Sequence, residues 1–426
     1  MSPGTDWYRG SMLLRCLRQN GGQVHSNHTE VNEDPRSSER EGQLSDLLVI
    51  DLSRAVAGPH AAMMLGDLGA KIVKVEQPGP GDEARSWGPP FATGSDGQAV
   101  STYFLSANRN KDSIALDLKD AHAMALLRKL LARADVLIEN FRPGTLARLG
   151  LSDQALIELN PRLVVLAISG FGHDGPQGGR AGYDQIAQGE AGLMSVTGSN
   201  PDDPQRVGVP IADILAGIYG AYGVLAALHE RTRTGRGQIV RTSLLAAVVA
   251  SHGYQGTAWT VAGVRGHARG NHHPSIVPYG LFRCGEGAIQ IACGNDAQWQ
   301  RLSAEFQLDV DDSLATNRER VARRNDVINI LETAFSSLAP EEVLARLDAV
   351  SVPAGMVRTI DEVYAWDQTR SQGLLLEVQH ASLGPIQLPG PPLRFFNVTA
   401  DNETETTFRG HRPPPVLGAG SAELDA

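Results

Sequence analysis

The chain has 426 residues, 42% hydrophobic and 20% charged, an ordinary globular composition with room for a large core. Its 38 Lys and Arg against 48 Asp and Glu leave a formal charge of −10. That balance argues against a nucleic-acid partner and admits an anionic ligand only where basic residues gather locally. The three cysteines, Cys16, Cys284 and Cys293, have neither an even count nor metal-ligand spacing and read as reduced thiols. No metal site and no tightly bound cofactor is expected, and no apolar run approaches the length of a membrane span, so no membrane partner is expected either.

Residues 1–45 are polar, with a charged patch from Glu30 to Glu41, and read as a disordered N-terminal extension. Within it the basic segment Met12–Arg18 resembles part of a mitochondrial transit peptide, but Asp6 and the acidic patch oppose that. A cytoplasmic location is expected, with the mitochondrial matrix as the alternative. From Leu47 onward strand and helix patterns alternate. Leu47–Asp51 and Lys71–Glu76 read as strands around a helix from Gly58 to Leu68, with Pro59 in its first turn. The alternation repeats with a helix over Ala121–Leu131, a strand over Asp135–Glu139, a helix over Asp153–Leu159 and a strand over Leu163–Ile168.

The class is therefore α/β, a Rossmann-like parallel sheet covered on both faces. Beyond it, 256–280 reads as a loop and Gly287–Ala292 as a strand. Helices follow over Asp296–Glu305, Val327–Ser336 and Pro340–Leu347. The expected organisation is a large α/β domain over 46–239, a smaller α+β domain over 240–365, and a segment over 366–426 that returns to the first.

Gly170, Gly172 and Gly175 match the spacing of a dinucleotide fingerprint after a strand, but Pro176, Gly178 and Gly179 follow. No helix N-terminus is then available for a pyrophosphate, so a turn is expected. Basic residues cluster in two strand-flanking stretches, Asn108–Asp112 and Glu139–Arg148. The second lies where open α/β sheets bind ligands, which points Arg142 and Arg148 at an anion and leaves Phe141 as an exposed aromatic able to pack on a ligand ring. No histidine has a Ser or Cys partner at recognisable spacing. The adjacent pair His272 and His273 suits a loop better than a metal.

Val207–His229 carries one carboxylate, Asp213, ahead of a helix pattern rich in Gly and Ala. Asp213 sits where an N-cap belongs. It can be only a cap, or a nucleophile kept ionised by the helix dipole and able to take up an acyl group. The small residues of the helix, Gly217, Gly220 and Gly223 among them, invite another backbone to approach closely.

Several stretches occur together in a family order: Asp51-Leu-Ser-Arg-Ala-Val-Ala-Gly-Pro59, Leu68-Gly-Ala-Lys-Ile-Val-Lys-Val-Glu76, Asn108-Arg-Asn-Lys111, Glu139-Asn-Phe-Arg-Pro-Gly144, Gly182-Tyr-Asp184, Ala212-Asp213 and Thr234-Gly-Arg-Gly-Gln238. From about Leu47 to Gly418 the chain resembles the class III CoA-transferases of the CaiB/BaiF type. Arg269–Tyr279 most resembles their succinyl-CoA:dicarboxylate branch, which uses glutarate or hydroxymethylglutarate.

The resemblance implies a homodimer interlocked like chain links, with acyl-CoA and a small carboxylic acid as substrates and partners. It places the nucleophile on Asp213. Coenzyme A contacts fall on Val56 and Ala57 at the adenine end, on Lys111, Asn140, Phe141 and Arg148, and on Tyr183 with Asp184 beside the thioester; Arg142 is the further candidate for an anion contact.

Two departures touch this pattern. Gln77 stands where formyl-CoA transferase has a basic residue, and that enzyme's run of four glycines over the active site is missing. The resemblance implies an aspartyl anhydride followed by an aspartyl-CoA thioester. The alternative within the family is a 2-methylacyl-CoA racemase, but such enzymes carry Gly-His-Asp where this chain has Gly182-Tyr183-Asp184, and an unperturbed tyrosine, pKa ~10, is a poor base. A non-catalytic CoA-binding protein, with Asp213 only a cap, is the alternative of another class.

Overall fold

A computed structural model of the chain describes residues 42–400 and 402–421. The expected disordered extension, the Met12–Arg18 segment and Cys16 thus lie outside the described residues, apart from positions 42–45. There the Leu44 N–H donates to the Leu68 carbonyl at 2.8 Å and the Leu44 side chain packs on the main core, so Leu44 belongs to the folded sheet unit rather than to the expected extension.

Six strands form one sheet: β1 (Leu48–Asp51), β2 (Lys71–Glu76), β3 (Lys111–Ala115), β4 (Val136–Glu139), β5 (Val164–Ser169) and β6 (Ile239–Ser243). Their spatial order is 3-2-1-4-5-6 and every pairing is parallel. Strands β1, β4 and β5 are near-continuous apolar runs because both faces are covered. Side-chain alternation sends Val49, Ile72, Ile138 and Leu166 into one core, and Ile50, Val73, Leu137 and Val165 into the other. The chain winds outward from β1 through β2 to β3, then restarts at β4. The crevice at the carboxyl ends of β1 and β4 is therefore the topological switch point, where such sheets bind ligands.

The second core is closed by α2 (Ala121–Leu131), which starts at Asp120, whose carboxylate accepts from the Ala123 N–H, and buries Ala123, Leu127 and Leu131 at helical spacing. On the other face lie α1 (Ala57–Gly66), α3 (Asp184–Glu190), α4 (Ile211–Thr234) and α5 (Leu244–Ala250). Helix α4 is the one whose small residues stand out in the sequence. A Cβ added at Gly217 would lie 2.9 Å from the Ala57 carbonyl oxygen, one at Gly220 2.8 Å from Leu166, and one at Gly223 2.6 Å from Val240. The close approach is thus made within this chain, to α1, β5 and β6.

The expectation that no apolar run is long enough for a membrane is corrected by the same helix. An 18-residue window of this 24-residue helix has a mean hydropathy of 1.7, enough by length and composition to cross a bilayer. Its position against the sheet is that of a core helix.

Strand β6 crosses the boundary expected at residue 239, and Leu244, Ala247 and Val248 of α5 enter the main core, so the sheet unit runs to about Ala250. The loop expected over 256–280 is also corrected. Gly253–Ala262 is helical, and none of its side chains is buried, which removes the apolar stripe that marks a helix in a sequence. A separate core then forms around the antiparallel strands Tyr279–Arg283, Ala288–Ala292 and Ala354–Met356 and the helices Asp296–Glu305, Arg324–Phe335 and Pro340–Ala349. Cys293 is buried in it and Cys284 packs against it. The C-terminal segment lies on the sheet edge, where Gly420 N–H donates to the Ser113 carbonyl at 2.8 Å and Asn110 N–H to the Arg412 carbonyl at 3.0 Å.

Candidate active site

At the switch point the carboxyl end of β1 runs into a tight loop, Ser53–Val56. Ala55 sits in the left-handed region at φ 65, a conformation that costs about 1–3 kcal/mol for a residue with a side chain. Neighbours hold it there. Asn140 accepts from the Arg54 N–H at 2.8 Å and donates to the Arg54 carbonyl at 2.7 Å. Asp82 accepts from the Ala55 N–H at 3.0 Å. The guanidinium of Arg54 lies 5.0 Å from the ring centre of Phe141.

Beneath the loop is a buried charge cluster. Lys111 Nζ donates to Asp51 at 2.9 Å, to the Pro59 carbonyl at 2.8 Å and to Asn108 at 2.9 Å. Lys74 Nζ lies 2.8 Å from Asp82 and donates to the Ser53 carbonyl at 2.8 Å. Burial of the Lys111 ammonium pushes its pKa down to about 8 despite Asp51 beside it. Lys111 is thus corrected from a ligand contact to a buried support of the β1 loop: its three donors are used and its side chain has no exposed surface. Asn140 likewise acts on the loop backbone.

A cleft of about 260 Å³ opens over this support, bordered by Ser53, Arg54, Gln77, Asp82, Phe141 and Thr145. Arg142 faces a separate cleft of about 380 Å³ with Glu139, His173 and Arg241. Burial raises Glu139 there to about 7. Arg148 is exposed and donates to Thr145 Oγ1 at 2.9 Å. Ala57 is buried in the first turn of α1.

Asp213 borders the largest of these cavities, about 560 Å³, with Val56, Trp87, Tyr103, Tyr183, Asp184 and Arg206 around it. Ser53 and Arg54 border the Phe141 cleft and Val56 borders the Asp213 cavity. The β1 loop is thus the shared wall between the two. Trp87 and Tyr103 meet edge to face, 5.8 Å between ring centres. Tyr183 is delivered by a close crossing of backbones: a Cβ at Gly170 would lie 2.7 Å from the Gly182 nitrogen. Gly172 and Gly175 sit at φ 107 and 75, so the apparent dinucleotide fingerprint is a turn.

The structure corrects the capping role of Asp213. The N-cap of α4 is Pro210, and Asp213 is the third helical residue. Asp184 caps the helix instead: its Oδ1 accepts from the Ala212 N–H at 2.7 Å and the Asp213 N–H at 3.3 Å, and its Oδ2 from Gln188 at 2.7 Å. The Asp213 carboxyl is then left to the cavity. Its electrostatics are also the reverse of the dipole argument. Burial, followed by the charge of Asp184, raises its pKa to about 7. A carboxylate with that pKa is ionised in about half the molecules at neutral pH and is more basic, hence a stronger nucleophile, than an exposed one.

Sequence reasoning missed Arg206. It lies in an irregular stretch before α4 and carries no periodicity or spacing signal. Among the described residues no group of three or more His, Cys, Asp or Glu could hold a metal. The His273 ring lies 5.7 Å from the Tyr254 ring and 5.1 Å from the Tyr279 ring.

Residues 44–420 match the model of CoA-transferase family III. This chain belongs to that family. The succinyl-CoA:glutarate CoA-transferase of Mus musculus is 36% identical over 378 residues, 88% of this chain and 84% of that protein. The succinate–glutarate CoA-transferase of Agrobacterium fabrum is 38% identical over 389 residues, 90% of this chain and 95% of that protein. Among solved structures, a CaiB/BaiF family protein from Brucella suis superposes with a TM-score of 0.78 at 36% identity, covering 90% of this chain and 99% of that one. The chain is accordingly a class III CoA-transferase, and CoA thioesters are its family's substrates.

Proposed function

We propose that this enzyme moves CoA from succinyl-CoA to a small dicarboxylic acid of the glutarate class through covalent intermediates on Asp213. The donor and acceptor are supported by the names of relatives at 36% and 38% identity. The observation that carries the mechanism is the Asp213 carboxyl: helical, not used as a cap, bordering the large cavity, with a pKa raised to about 7.

An Asp213 oxygen attacks the thioester carbonyl and expels the CoA thiolate, leaving an aspartyl–succinyl anhydride. The thiolate attacks the aspartyl carbonyl, releases succinate and forms the aspartyl-CoA thioester. The acceptor carboxylate attacks that thioester, giving a second anhydride and thiolate. The thiolate then attacks the acceptor's acyl carbon, and Asp213 leaves as a free carboxylate. The scheme needs no prosthetic group. The nucleotide end of CoA occupies the Phe141 cleft, and the thioester reaches Asp213 over the Ser53–Val56 wall.

An anhydride hydrolyses readily, so the cavity must be covered during turnover. A second copy of the chain supplies the cover in this reading. Tyr222 on α4 is 71% exposed, and Trp259 and Val261 on the unburied 253–262 helix are 56% and 80% exposed. Light scattering at nanomolar protein gives a dimer mass; a monomer would count against this part of the reading.

The covalent step is tested with hydroxylamine and Asp213→Asn. Wild-type enzyme turning over succinyl-CoA yields a hydroxamate on the Asp213 peptide, seen as a mass shift. The Asn variant folds and loses transfer to background. A folded Asn variant with wild-type turnover, checked for deamidation, would end the mechanism.

A further inference from the structure

We propose that Arg206 binds the distal carboxylate of the dicarboxylic acid and thereby sets the preference for diacids over monoacids. The inference rests on the CoA-transfer reading of the Asp213 cavity.

Charge is the starting point. A diacid brings two negative charges to a cavity that already holds Asp184 and Asp213. One substrate carboxylate is consumed in forming the anhydride. The other stays charged through every intermediate and faces the site carboxylates without compensation unless a cation is present. Among the described residues that border this cavity, Arg206 is the only Lys, Arg or His.

Its guanidinium is also set for the task. Among the described residues, its hydrogen bonds run from Nη1, to the Val207 carbonyl at 3.0 Å and the Gly208 carbonyl at 3.1 Å. Those bonds fold the head back along the irregular stretch that leads into Asp213, and Gly208 itself borders the cavity. Nε and Nη2 remain for a carboxylate, and a guanidinium meets a carboxylate with charge-assisted, often paired, bonds.

The two-step chemistry makes one cation sufficient. The succinyl group of the donor and the acceptor acid are joined in turn to the same Asp213 carboxyl group, so their distal carboxylates come to the same region one after the other. A single arginine can read both.

The test holds the donor constant. With succinyl-CoA throughout, kcat/KM is measured for glutarate and for valerate, an acid of the same chain length that lacks the distal carboxylate. Arg206→Ala lowers kcat/KM for glutarate by about 10- to 100-fold, with most of the change in KM, and narrows the glutarate-to-valerate ratio by a similar factor. Arg206→Lys, which keeps the charge, recovers part of the ratio. Glutarate kinetics within about twofold of wild type in Arg206→Ala would overturn the assignment. So would an equal loss for both acids, which is what a merely structural role of the 206–208 stretch produces. Wild-type enzyme that transfers CoA to neither acid, or an active Asp213→Asn enzyme, removes the CoA-transfer reading itself.

Discussion

Two clusters of charge lie on either side of the β1 loop, and they are built from similar residues to opposite ends. Below the loop, Lys74 and Lys111 meet Asp51 and Asp82 with hardly any exposed surface, and each ammonium also reaches a backbone carbonyl. In the large cavity, Asp184 and Asp213 face each other's charge, and Asp213 has no such partner to lower its pKa. The first cluster is compensated and holds a strained loop in place. The second is left with unbalanced charge and is the one to which the proposed chemistry is assigned. The difference is set by what surrounds each carboxylate, since the residue type is the same.

Removing Lys111 should produce the largest stability effect. Lys111→Met leaves Asp51 buried with one cation fewer, and breaking a buried pair in this way costs about 3–5 kcal/mol. Urea unfolding measures it. If Lys111 were instead a surface contact for CoA, stability would hold and the KM for acyl-CoA would rise, which would abolish the contrast between the clusters.

Asp213→Asn should act in the opposite direction. The Asp213 pKa rises from 3.8 to about 7 on folding, so between those values the folded state holds a proton that the unfolded state releases. Stability from this group is present at acidic pH and is lost as pH rises towards 7. At pH 8 the Asn variant should therefore be more stable than wild type, by up to about 4 kcal/mol, and at pH 4 the two should unfold alike. Equal stability at pH 8 would mean that the carboxylate is well solvated and the cavity cluster is not unbalanced.

The smallest effect is expected at the rim of the cleft. Phe141→Ala removes the partner of Arg54, and a lost ring contact of about 0.5–1.5 kcal/mol should raise the KM for acyl-CoA by about 2- to 10-fold with little loss of stability. No change in KM would move the nucleotide end of CoA elsewhere, with the Arg142 cleft as the next candidate.

The sheet was legible because β1, β4 and β5, buried on both faces, are near-continuous apolar runs. Lys71–Glu76 and Ala121–Leu131 have the same limits in the sequence reading and in the structure. The 253–262 helix was not legible, because a helix without a buried face has no apolar stripe to read. The family motifs singled out Val56, Tyr183, Asp184 and Asp213, and the fold gathers these four around one cavity. Arg206 belongs to no such motif.

What the sequence determined by itself was local: which stretches are apolar, at what period, and which family their order resembles. Only the tertiary structure decided what each charge does. Asp213 is freed from capping by Asp184, a residue 29 positions away in sequence, and its pKa is raised by burial and that same neighbour. Lys111 is turned from a candidate ligand contact into a support by Asp51, 60 positions away. Apolar periodicity is a property of one segment and survives in a linear reading. The behaviour of a charge depends on solvent and on partners brought close through space, and those exist only once the chain has folded.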